Sequence, residues 1–440
     1  MEITEKTENT ENTPTESKKP KKTLTRFNVV YDDPYQIFCK YLKGETTFNE
    51  IGHKCSRGII YPESRSTFYK IFLGILPYND PGSWKNKIIK LRQKYYDKLN
   101  NLLSKNKFII DFINCHFLKG SPQYESLYNS LPKEDNDLLS LIKLDVDRTF
   151  QELDLFHDVK VKEILCKILY VFSKDNPDPS YCQGMNEILG TLFYAFLSSI
   201  KYDKFTPEQH EKENNGKVTN VEMLYSFLVN NEHLEADLFI IYSELMSRDL
   251  TLLYMYNDDK FVKKDVGGKQ TVLNIEELEK SGESDLIIRI KKIFYIQLPS
   301  LDKNYFDKLC SAIEPSLFLL RWILCLLDRE ISLKHVLWIW DSVLFYEFVE
   351  FTFLKKDNDK KYTHLNFLDM VCLSMIMNLK EEVKNSEASI ILCRFMKFPN
   401  EKNIRNILHE AVNLAPKFNG NINIWDNPET KVTKNYLDDK

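Results

Sequence analysis

Apolar residues recur along this chain at intervals of three and four, the spacing that lines one face of an α-helix. Tyr35, Phe38, Leu42 and Phe48 begin the pattern, and Phe68, Phe72 and Leu73 continue it. Amphipathic stretches follow at Ile88–Leu103, Ile109–Phe117, Val161–Phe172 and Met185–Leu197. In the last of these, Ile188, Leu189, Leu192, Phe193, Phe196 and Leu197 share one face. The second half repeats the style at Val221–Val229, Leu234–Leu245, Ile287–Tyr295, Tyr305–Ile313, Leu317–Leu327, Val336–Val343, Phe367–Leu379 and Ile404–Val412. Convincing alternation with a period of two, the mark of half-buried strands, is missing. The pattern therefore predicts a nearly all-α protein.

Polar segments interrupt the pattern. Residues 1–25 repeat Thr, Glu, Asn and Lys without hydrophobic spacing and read as a disordered tail, which we extend to residue 32. The tail contains Lys18-Lys19-Pro20-Lys21-Lys22, either a solvated run or a weak anionic-membrane or nuclear-import signal. Lys201–Asn220 and Asn257–Ser284 are charged and read as surface insertions, and the chain turns polar again toward Lys440. The longest apolar runs, Ile188–Ile200 and Leu317–Leu327, fall short of the roughly 20 residues that span a bilayer. The acidic, polar start does not fit a secretory signal. A soluble, cytoplasmic chain with at most peripheral membrane contact is the expectation.

Composition narrows the chemistry. With 440 residues, 43% of them hydrophobic and including 28 Phe and 23 Tyr, the chain can bury a large core. A net charge of −4 supplies no overall pull toward nucleic acid. The 9 cysteines are odd in number, scattered and never in a C-x-x-C pair, so reduced thiols are expected rather than a disulfide or zinc framework. The 8 histidines form no H-E-x-x-H, and neither G-x-S-x-G nor a kinase motif set occurs. Gly267-Gly268-Lys269 lacks the spacing of a phosphate-binding loop, and no G-x-G-x-x-G exists. A chain acting on a nucleotide without its own phosphate cradle must meet that nucleotide on a partner.

Two short strings stand out against this background. Ile142-Lys143-Leu144-Asp145-Val146-Asp147-Arg148-Thr149 sets an arginine three positions after an acid, on one face of a helical turn. A carboxylate there can hold the guanidinium in a fixed presentation, although an ordinary surface ion pair would read the same way. Tyr181-Cys182-Gln183-Gly184-Met185-Asn186-Glu187-Ile188 follows two prolines and opens an apolar helix, so Gln183 falls at a helix start where a side chain can project. Helix capping and turn chemistry are the alternative, and Gly184 would allow the backbone of a partner to approach. An arginine supplied in trans neutralises charge on a transferring phosphoryl group, and a glutamine orients the attacking water. The pairing points to a chain that completes the active site of another protein.

Together the strings I-x-x-D-x-x-R and Y-x-Q resemble the two catalytic motifs of TBC-domain GTPase-activating proteins for Rab-type small GTPases. Arg65-Ser66-Thr67-Phe68-Tyr69-Lys70-Ile71-Phe72-Leu73-Gly74-Ile75-Leu76-Pro77 is similar to the family's first motif, R-x-x-x-W-K-x-L-L-G-x-x-P, with Tyr69 at its usual tryptophan. Glu314 to Phe318, Arg321-Trp322 and Trp340-Asp341-Ser342 resemble the family's C-terminal half. The longer string Y-x-Q-G-M-N-E-I is similar to the branch of family member 13. The resemblance implies a TBC-type domain at about 33–415, made of two helical subdomains (33–220, catalytic, and 221–415), with an insertion near 257–284 and a polar tail at 416–440. It implies Arg148 and Gln183 as catalytic fingers supported by Asp145 and Tyr181, and a role in vesicle trafficking. Arg65, Trp84, Trp322, Trp338, Trp340 and Asp341 are assigned to the scaffold. The implied partner is a GTP-bound Rab-family GTPase that itself holds GTP and Mg²⁺, so no cofactor or metal is expected on this chain. A catalytically silent Rab-binding effector of the same fold is the alternative.

Overall fold

The computed structural model describes residues 38, 40–42, 44–56, 64–115, 120–201, 220–254, 283–350, 352, 365–399 and 403–418. Among them all regular structure is helical and no strand occurs. The expectations for the N-terminal tail, for most of both insertions and for residues 419–440 lie outside the described residues.

The principal helices are α1 (Phe48–Ser56), α2 (Arg65–Phe72), α3 (Trp84–Lys105), α4 (Lys133–Asp147), α5 (Val159–Asp175), α6 (Met185–Lys201), α7 (Leu234–Leu245), α8 (Ser316–Leu324), α9 (Leu333–Val349), α10 (Asn366–Asn378) and α11 (Ile404–Phe418). Helix α3 buries Trp84, Ile88, Arg92 and Tyr95, spaced four, four and three, against α7. Helix α5 starts where the Asp158 carboxylate accepts from the Lys160 and Val161 amides, satisfying two donors that the first turn leaves open. Helix α8 stops at Leu324, short of the apolar run that ends at Leu327, because Leu326 and Leu327 turn through the left-handed region (φ 46° and 68°). Helices Pro122–Asn129 and Ala388–Met396, and α4 itself, have no counterpart among the expected stretches.

Helix α9 is predominantly apolar and buried along most of its length, as a central helix should be. It packs on α1, α2 and α10. Its contact with α1 passes over Gly52, where an added Cβ would lie 2.0 Å from the Phe345 ring. Three acids sit inside α9 or at its end. Asp341 takes a bidentate grip from Arg65, with Nε–Oδ1 and Nη2–Oδ2 both 2.9 Å, and Oδ1 also accepts from the Tyr69 hydroxyl at 2.8 Å. Tyr69 thus packs as a core aromatic while its polar tip finds a partner. Glu347 accepts from the Leu365 amide at 2.8 Å and faces Arg248 at 3.7 Å. Glu350 is buried with Asn366 on Oε2, at 3.3 Å, and no partner for Oε1.

A second buried charge group ties α2 and α3 to α7. Asp237 accepts from Lys70 Nζ at 2.8 Å and from Arg92 Nε at 2.7 Å. Burial opposes the charge, but Lys70 and Arg92 hold the Asp237 carboxyl below its ordinary value. Trp84, Trp322 and Trp340 are buried as scaffold residues, while Trp338 is half-buried beneath the Arg405 guanidinium.

Asp341→Ala leaves Arg65 buried and unpaired, so chemical denaturation should show a loss of about 3–5 kcal/mol. A loss under about 1 kcal/mol would mean that the pair does not hold α2 to α9. Burial, reinforced by Glu347, pushes the Glu350 carboxyl from 4.5 up to about 8. The folded state then keeps its proton while the unfolded state releases it, so stability falls as pH rises from about 4.5 to about 8. Glu350→Gln should flatten the part of this slope that Glu350 causes and stabilise the protein at pH 8, as measured by denaturation midpoints across that range.

Candidate functional site

The arginine loop begins where α4 ends. Arg148 is the residue that closes the helix (φ −108°, ψ 5°), with its amide donating to the Asp145 carbonyl at 3.2 Å. Thr149 Oγ1 donates to the same carbonyl at 2.9 Å, and Phe150 then turns the chain at φ 43°. Three residues after Asp145, the guanidinium folds back, donating from Nε to Oδ1 at 3.1 Å and also from Nη2. The pair is lopsided: the Arg148 side chain is 49% exposed and that of Asp145 1%. The hydrogen bonds that Arg148 donates to Asp145, and the charge of that carboxylate, raise the Arg148 pKa further, so the guanidinium is a permanent cation.

The glutamine loop is the stretch between α5 and α6. Gly184 adopts φ +102°, which releases the chain into α6 and leaves Gln183 exposed just before it. An added Cβ there would lie 3.2 Å from the Tyr254 hydroxyl and 3.3 Å from Cys325 Sγ. The close approach expected from a partner's backbone is thus made by side chains of the same molecule. Tyr181 Oη donates to Asp145 Oδ2 at 2.8 Å and lies 3.1 Å from Asn186 Oδ1. Burial, then the Asp145 charge, pushes the Tyr181 phenol well above its ordinary value, so it acts as a donor.

Asn186, one turn into the string, crosses between the loops. Its Nδ2 donates to Thr149 Oγ1 at 2.8 Å and to the Asp145 carbonyl at 3.3 Å, while its Oδ1 accepts from the Gly184 amide at 3.2 Å. Arg148 and Gln183 are thereby carried on loops stitched through Asp145, Tyr181 and Asn186. Sequence reasoning had no role for Asn186, Thr149 or Gly190. Gly190, on α6, seats the arginine loop: a Cβ there would lie 2.9 Å from the Phe150 ring and 3.0 Å from Thr149 Cγ2. An asparagine and a glycine at one end of an apolar helix were the only available signal.

A family model described as Rab-GTPase-TBC domain matches residues 63–384. Human TBC1 domain family member 5 is 25% identical over 362 residues, which is 81% of this chain and 42% of that protein. Human TBC1 domain family member 13 is 26% identical over 54% of this chain and 44% of its own length. The wider match to member 5 removes any specific assignment to the member 13 branch. The chain spans less than half the length of these curated relatives. Among solved structures, one titled as the Ypt/Rab-GAP domain of Gyp1p shares the fold, with a TM-score of 0.59 at 18% identity. It covers 88% of this chain and 98% of that one.

Gly190→Ala should overpack the seat of the arginine loop by about 1–3 kcal/mol, less the fraction of a kcal/mol that alanine gains in a helix. Hydrogen–deuterium exchange should show faster exchange at residues 148–151 with helix content unchanged. Protection equal to the parent's would mean that the loop is seated elsewhere.

Proposed function

The chain belongs to the Rab-GTPase-TBC domain family, and from that premise we propose that it is a GTPase-activating protein for a Rab-type small GTPase in vesicle trafficking. The observation that supports this reading is the Asp145 carboxylate, which fixes an exposed guanidinium from behind while the Tyr181 hydroxyl ties the Gln183 loop to the same group. In this mechanism Arg148 enters the nucleotide site of the partner and neutralises charge building on the β–γ bridge and γ-phosphoryl oxygens. Nε and one Nη2 hydrogen are engaged by Asp145, which leaves both Nη1 donors and the second Nη2 donor for phosphoryl oxygens. Gln183 aligns the attacking water through its carboxamide. GTP and Mg²⁺ come with the partner as its substrate and ion.

An arginine finger of this type contributes on the order of 10³–10⁵ in rate, mostly by electrostatic positioning. On this reading residues of about 33–220 form the subdomain that presents both fingers. Those of about 221–415 form a second subdomain that buttresses the glutamine loop through Tyr254 and Cys325. No helix among the described residues is long and apolar enough to cross a membrane, which fits contact with a membrane-bound GTPase from a cytoplasmic, peripheral position. The competing reading, a Rab-binding effector without catalysis, is disfavoured by the presence of both residue types on exposed, joined loops.

The test is single-turnover phosphate release from a panel of purified GTP-loaded Rab proteins. Arg148→Ala should lower the stimulated rate by about 10³-fold or more. Arg148→Lys should lose most of the stimulation because an ammonium lacks the planar fork. Gln183→Ala should fail likewise with an unchanged circular dichroism spectrum. Full stimulation by a variant lacking both groups would overturn the finger assignment. GTP-dependent binding without acceleration by the parent would establish the effector reading instead.

A further inference from the structure

Beneath the glutamine loop lies a group of side chains with no chemical role in the mechanism above, although Cys325 among them packs against that loop. Glu187, in the first turn of α6, meets Cys325 and Asp328 from the turn after α8. Sγ of Cys325 and one carboxylate oxygen of each acid lie within 4.8 Å of one another. Asp328 is 4% exposed and Glu187 9%. Glu187 Oε1 takes Arg329 Nε at 3.0 Å, and Asp328 Oδ2 accepts weakly from Thr191 at 3.4 Å. The other oxygens are orphans: Asp328 Oδ1 is buried without a partner, and so is Glu187 Oε2 apart from the weak donor of the Cys325 thiol. A buried carboxylate oxygen left unpaired costs on the order of 1–3 kcal/mol or more, so Asp328 Oδ1, beside a Glu187 Oε2 met only by a thiol, calls for an occupant.

We propose that Glu187, Cys325 and Asp328 bind one divalent transition-metal ion of the zinc type. The donor set is one sulfur and two carboxylate oxygens, which zinc accepts with a fourth position left for water. At ordinary Zn–S and Zn–O lengths the ligand atoms sit about 3.5 Å apart, so rotations that move them by about an ångström close the set. Burial keeps the free thiol protonated, so binding breaks the S–H bond, forms the metal–sulfur bond and releases that proton to solvent. Arg329, 41% exposed, pairs with Glu187 Oε1. The ion would clamp α6, and with it Gln183, to the left-handed turn at Leu326 and Leu327.

The site is testable without any assay of GTP hydrolysis. The 440-residue chain, freed of metal by chelator dialysis, is titrated with Zn²⁺ in a calorimeter and, separately, with Co²⁺ under an absorption spectrometer. One equivalent of Zn²⁺ should bind with proton release, and Co²⁺ should produce a near-ultraviolet thiolate charge-transfer band. Cys325→Ser should abolish that band, and Asp328→Asn, nearly isosteric, should weaken Zn²⁺ binding on the order of tenfold or more at unchanged helix content. Absence of stoichiometric binding overturns the proposal. So does a thiolate band that survives Cys325→Ser, which would place the metal on another cysteine. Equal Zn²⁺ affinity in the parent and Asp328→Asn overturns it as well, because Asp328 would then not be a ligand.

Discussion

The Asp145 carboxylate accepts from two loops at once, and the placement of the exposed groups at the site follows from it. Oδ1 takes the Arg148 guanidinium and Oδ2 the Tyr181 hydroxyl, while the backbone carbonyl of the same residue takes Thr149 and Asn186. For the buried members, Tyr181, Thr149 and Asn186, such bonds are strong and directional, and losing one leaves its partner unsatisfied at high cost. A side chain tied this way has already given up much of its rotational freedom before any partner arrives. The charge stabilisation in trans that we propose for Arg148 requires preorganisation of that kind.

The loops can be held this tightly because the helices behind them do not separate. Arg65 on α2 reaches Asp341 on α9, and Lys70 and Arg92 converge on Asp237 of α7. Buried ion pairs of this sort add little net stability, but they penalise every packing that leaves one charge alone. The second half of the chain also enters the site directly, since Tyr254 and Cys325 fill the space that Gly184 leaves. The glutamine loop therefore rests on both halves.

Several parts of this arrangement were legible in the residues alone. The i,i+3 spacing of Asp145 and Arg148 predicted their contact, and it forms because helical geometry is local. The helix that carries them was harder to see. Leu141 and Leu144 are exposed, at 43% and 58%, and blur the single apolar stripe that Leu139, Ile142 and Val146 would otherwise draw on α4. Gly184 was misread because a glycine announces a close approach without saying what approaches. Asn186 and Gly190 passed unnoticed because their partners, Thr149 and Phe150, lie 37 and 40 positions away.

What the chain's order of residues determined by itself was the class of fold and the identity of the exposed chemical groups. Both depend on short spacings: three and four for helices, three from acid to arginine, two prolines and a glycine around the glutamine. Only the tertiary structure decided that one buried carboxylate serves both loops, and that Glu187 meets Cys325 and Asp328 across more than 130 positions. Local spacing constrains the backbone over one or two turns. Which distant side chains share a low-dielectric volume is settled by how whole helices pack, and no window along the sequence contains that information.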